Sequence, residues 1–192
     1  MRYVSLTPDK EKAMAEAEAA EKAFAEVAKA WPTDAPDRYE ADTDWASRIK
    51  TLKKLMGDIK TQVEAGKTAD AEASILETLK LLLELDEKNK INSIGDETIR
   101  IIIQTEEMGN AFHEKRPNDM KHMMPGLWES QKNFFASPAP PSAEGREDEF
   151  ENMKDRVYEA VDKFAEASNP GAREQTLQEL RKAAREFYVE FG

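Results

Sequence analysis

No cysteine occurs in the chain, and its absence excludes disulfides, zinc ribbons, thiol catalysis and thioether-attached haem. Histidine is almost as scarce. Two residues, His113 and His122, carry all the imidazole chemistry available. The eight glycines are scattered rather than gathered into a phosphate-cradling loop. The longest apolar runs, such as Leu81-Leu82-Leu83 and Ile101-Ile102-Ile103, are far too short to span a bilayer. The first ten residues lack an apolar signal-peptide core, so no leader is expected in them. No segment alternates at period two for long enough to make a strand. Basic side chains are outnumbered 28 to 39, for a net charge of −11. That field repels phosphate backbones and anionic lipid surfaces, and no Lys/Arg stripe offsets it. Nucleic acid is therefore not an expected partner. Basic or cationic partners are compatible with such a surface, as is a charge that only maintains solubility.

What the chain does have is helical periodicity. Phe150, Met153, Val157, Val161 and Phe164 recur in three- and four-residue steps, as do Leu177, Leu180, Ala184, Phe187 and Phe191. The two stripes predict a helical hairpin folded across Ser168-Asn169-Pro170-Gly171. Asn169 is placed to cap its second arm, with Pro170 in the first helical position.

Taken in order, Thr7-Pro8 predicts a helix over 8–31, with Met14, Phe24, Val27 and Trp31 as its larger apolar groups. Pro32 and Pro36 end it, and a polar loop follows to about Asp42. A second helix is expected over 43–65, with Trp45, Ile49, Leu52, Met56, Ile59 and Val63 on one face. Gly66 suits its C-terminal cap and Thr68 the next N-terminal cap. Leu76, Leu79, Leu82 and Leu83 mark a third helix over 69–90. Residues 92–95 break the chain before a fourth helix over 96–116. A fifth, over 118–136, is expected to be interrupted at Pro125-Gly126. Residues 137–145 read as a linker or long loop without helical period. Trp31, Trp45 and Trp128 fall at helix ends beside proline loops. That placement suits plugs for bundle ends, or an aromatic recognition surface.

A shift of 101 residues brings Ile49, Leu52, Met56 and Val63 onto Phe150, Met153, Val157 and Phe164. It also brings Leu76, Leu79 and Leu83 onto Leu177, Leu180 and Ala184, with the turns in register. Upstream, a three-residue difference in loop length sets Phe24 and Trp31 beside Trp128 and Phe135. The expected organisation is a tandem of related units, 1–91 with three helices and 92–192 with four.

The run Met124-Pro125-Gly126-Leu127-Trp128, the proline-rich loop, Phe150 to Phe164, a short turn and Leu177 to Ala183 resemble cytochromes of the c-prime type. The resemblance covers 96–192 fully and 8–90 as a copy lacking the first helix. It implies an all-α fold of tandem up-and-down bundle units, about seven helices in all. It also implies a periplasmic setting, whereas the leaderless first residues equally fit the cytoplasm. The family's Cys-x-x-Cys-His is missing. Ala184-Arg185-Glu186-Phe187-Tyr188 stand in its place, with neither thiol nor axial imidazole. The resemblance thus implies a descendant without covalent haem, whose Phe187 fills core where a haem edge would sit.

His113 and His122 flank Pro117, with Met108, Met120, Met123, Met124 and Asp119 nearby. Imidazole with thioether suits Cu(I), and imidazole with carboxylate suits Zn²⁺ or Ni²⁺. A metal site of His113, His122, Met120 and Met123 is one expectation, and methionines used as packing filler are the other. Glu106-Glu107 and Asp148-Glu149 read as solvated helix faces with partners one turn away. No catalytic constellation stands out, so the expected function is a non-enzymatic binding or interaction protein. Its partner is an unidentified protein or small molecule. The three-helix unit lacks one wall, which the second unit or another copy in a homodimer has to cover.

Overall fold

A computed structural model describes residues 10–192. Within them the chain is all-α, with seven helices and no strand. They are α1 (Lys10–Ala30), α2 (Trp45–Glu64), α3 (Thr68–Lys88), α4 (Ile94–His113), α5 (Pro117–Ala136), α6 (Glu147–Glu166) and α7 (Pro170–Phe191). The expected Thr7-Pro8 helix start lies outside the described residues. The chain divides into two compact units, Met1–Ile91 and Asn92–Gly192.

In the first unit, α2 packs against both α1 and α3. Its predicted face is buried in full, from Trp45 through Ile49, Leu52, Met56 and Ile59 to Val63. The face α1 presents is an alanine stripe, Ala13, Ala17 and Ala20, completed by Phe24. Val27 and Trp31 are exposed instead, because small side chains at four-, three- and four-residue steps let two backbones approach closely. On α3 the buried set is Ala71, Ile75, Thr78, Leu79 and Leu85. Of the four leucines expected there, Leu79 alone is buried, and Leu76, Leu82 and Leu83 are half-buried. A run of adjacent leucines does not fix the phase of a helix, and packing on α2 selects another. Gly66 ends α2 with φ of 70°, the left-handed geometry a glycine cap provides. Thr68 does not cap α3. It is the first helical residue, after Lys67, which makes no side-chain capping bond.

In the second unit, α4 packs on α5, α5 on α6 and α6 on α7, and α7 closes against α4. Three-residue turns join α4 to α5 and α6 to α7, and a longer loop joins α5 to α6 in this up-and-down order. α4 begins earlier than its apolar period suggests because Ser93 and Asp96 form a capping box. The Ser93 Oγ accepts from the Asp96 amide at 3.2 Å, and the Asp96 carboxylate accepts from the Ser93 amide at 2.7 Å. α5 is not interrupted. It runs through Pro125, whose missing N–H leaves the Lys121 carbonyl without its usual helical donor. Burial of Leu127 and Phe134 on one side of the helix holds it together. Gly126 sits under Gln104 of α4, whose side-chain nitrogen would lie only 3.3 Å from a Cβ there. Between α5 and α6 the chain is a packed loop. It makes a single 3₁₀ turn, Pro141–Ala143, and buries Ala143.

The hairpin matches its stripes closely. Phe150, Val157, Val161, Phe164, Leu177, Leu180, Ala184, Phe187 and Phe191 are all buried, and Met153 is half-buried. The Asn169 side chain accepts from the Ala172 amide at 2.9 Å, so the cap forms with Pro170 in the first turn. At its centre Phe187 packs on Phe134 (4.7 Å between ring centres), Phe191 (5.6 Å) and Phe150 (5.8 Å). Lys154 is a buried cation that the stripe does not announce. Its ammonium lies over the rings of Phe135 and Phe150 and donates to the Ser137 carbonyl at 3.1 Å.

Candidate functional site

The α4–α5 and α6–α7 turns both border one cleft of the second unit, of about 610 Å³. Such a volume falls in the range of small-molecule sites. α4 closes with a paired turn in which Lys115 donates to the Phe112 carbonyl (3.0 Å) and Arg116 to the Ala111 carbonyl (2.8 Å). Lys115 occupies the position usually given to glycine, at φ of 56°. On the opposite side, Arg173 donates to the Ala167 carbonyl at 2.7 Å and fastens the first turn of α7 to the loop before it. Ala111, Phe112, Pro117, Met120 and Pro170 supply the apolar lining.

His113 and Met120 line this cleft together. His113 is exposed and meets the Phe112 ring edge-on at 5.6 Å, while Met120 is buried. His122, exposed, and Met123, half-buried, are not part of the lining. Among the described residues no three His, Asp or Glu side chains gather in a way that could hold a metal ion.

The carboxylates divide into three environments. Glu149 pairs with Arg146 one turn away at 2.9 Å, on an exposed face as expected. Glu106 does not lie on a solvated face. It is clamped between Arg181 and Arg185 of α7, each at 2.7 Å, and so ties α4 to α7. Gly109 makes room for the Arg181 guanidinium, which would collide with any Cβ there. Glu97 is buried. Burial pushes its carboxyl above the ordinary value of 4.5, the charge of Arg100 2.6 Å away pulls it back, and Asp96 and Glu129 push it up again. The net direction is upward. Its carboxylate holds the Arg100 guanidinium one turn further along α4.

Of the three tryptophans only Trp45 is a plug. It stacks on Tyr39 and donates from its indole to the Trp31 carbonyl at 2.9 Å. Trp31 and Trp128 are 41% and 50% exposed, so they do not seal helix ends. Trp128 shares a face of α5 with exposed Phe135, whose ring lies 5.0 Å from that of Tyr158.

No family model, curated protein or solved structure matches this chain. The cleft itself was not legible as a motif, because Lys115 and Arg173 come from turns far apart in sequence. A local signal does exist. Lys115-Arg116-Pro117 joins two helices with no glycine where the first one ends.

Proposed function

We propose that the chain is a non-enzymatic, haem-free helical-bundle protein that binds a small molecule in the cleft between the α4–α5 and α6–α7 turns. The observation that carries this reading is the cleft, with an apolar lining that includes buried Met120 and half-buried Phe112. Kinship with c-prime cytochromes is part of the proposal. Two features support it: the sequential packing of α4 to α7, and Phe187 packed among phenylalanines where the resemblance puts the haem-attachment motif. Methionine methyl resonances provide the test. Titration with a mixture of small alkyl and aryl compounds should shift the Met120 methyl and leave those of Met56 and Met153 in place. If Met120 does not move while another methyl does, the cleft is not the site.

The second reading is a metal-handling protein using His113, His122, Met120 and Met123. The placement of His113 and Met120 on one cleft favours it. Calorimetric titration with zinc and with Cu(I) should then show binding that the double substitution His113→Ala, His122→Ala abolishes. Equal affinity in both proteins would remove this reading.

A further inference from the structure

We propose that the cleft selects an organic anion with an apolar body, of the alkyl or aryl carboxylate class. This deepens the binding reading above and rests on it. On a chain with a net charge of −11, the cleft is lined by Lys115, Arg116, Arg173 and His113, and by no carboxylate. Arg116 is already neutralised, because it pairs with Glu114 and Asp119. Lys115 and Arg173 are not. Among the described residues neither meets a carboxylate, and Arg173 spends one bond on the uncharged Ala167 carbonyl. Two cations without counter-charges thus stand at the rim of an apolar recess.

The helix ends add no net field, because α5 and α7 begin at this cleft while α4 and α6 end beside it, and their partial charges oppose. The selectivity rests on the two side-chain cations. Phe112 and Met120 would receive the apolar body, and Lys115 with Arg173 the carboxylate. Charged bonds to a carboxylate are stronger than neutral ones. A neutral molecule of the same shape leaves both cations unused, and a cationic one is repelled.

Lys115 makes the assignment separable from folding. At φ of 56° a lysine is strained where glycine is not. Lys115→Gly should therefore raise Tm, by about 2–4 °C, and weaken anion binding at the same time. Lys90 at the end of α3 has the same φ. Lys90→Gly should raise Tm similarly and leave binding unchanged.

The test titrates the full chain with octanoate, 1-octanol and octyltrimethylammonium, following heat and the Met120 methyl. Octanoate should bind at least about tenfold more tightly than octanol, from one charge-assisted contact or more, and its affinity should fall with added salt. The ammonium compound should not bind. Lys115→Gln with Arg173→Gln should remove the preference for octanoate and leave octanol binding as it was. If octanol matches octanoate, or if the double variant keeps the preference, the anion assignment is overturned while the cleft stands as a binding site. If none of the three compounds moves Met120, the assignment and the cleft reading fall together.

Discussion

Phe187→Ala is expected to destabilise the second unit by about 3–5 kcal/mol, the range for truncating a fully buried phenylalanine. The ring has no exposed surface and touches three other phenylalanines contributed by α5, α6 and α7. Neighbours that are themselves rigid rings, Phe134, Phe150 and Phe191, cannot collapse into the space it leaves. The lost contacts and the cavity therefore add. Urea unfolding followed by hydrogen exchange would check both size and place. Amides of α6 and α7 should lose protection, and those of α2 should keep theirs. A loss of less than about 1 kcal/mol would mean the cluster is not the centre of that unit's core.

Much of this arrangement was legible from residue spacing. The hairpin of α6 and α7 was readable because its apolar groups are large and separated by charged residues, so only one phase buries them. The Asn169 cap was readable because capping depends on local chemistry. α1 was harder, since alanine marks a close approach only when the partner helix is known. Leu81-Leu82-Leu83 gives α3 no preferred face. Pro125 argues locally for a break, and packing of the buried side of α5 overrules it. Glu106 looks like any surface glutamate until Arg181 and Arg185 arrive from the far end of the chain. The cleft is of the same kind, its two unpaired cations coming from separate turns.

The positions paired by the 101-residue shift are not covered equally. Leu177, Leu180 and Ala184 of α7 are buried, and α7 packs on both α6 and α4. Their counterparts Leu76 and Leu83 of α3 are half-buried, and only Leu79 is fully covered. Among the described residues of its own unit, α3 packs on α2 through Ala71, Ile75, Thr78, Leu79 and Leu85, a different phase of the helix. The same apolar spacing is thus fully covered on α7 and only partly covered on α3.

Asp42→Asn is expected to destabilise the first unit by about 2–3 kcal/mol at neutral pH. The Asp42 carboxylate is wholly shielded from solvent although it lies on a loop. It accepts from the Lys88 ammonium at 2.7 Å and the Asp44 amide at 3.3 Å, and pairs with Arg48 at 3.1 Å. It therefore joins the loop to the end of α3 and the start of α2. Asparagine keeps the volume and removes the charge, leaving two cations facing a neutral amide. Burial alone would raise the Asp42 carboxyl. The Lys88 hydrogen bond, the Asp44 amide and the charges of Arg48 and Lys88 outweigh it and hold it below the ordinary 3.8. A depressed carboxyl stabilises the fold above its unfolded value, and that contribution is lost as pH falls through the folded one. The gap between wild type and Asp42→Asn should stay constant from pH 7 down to about 4, then narrow. Urea midpoints across that range would measure it. A gap that stays the same down to pH 2 would show that the charge on Asp42 is not what holds the loop.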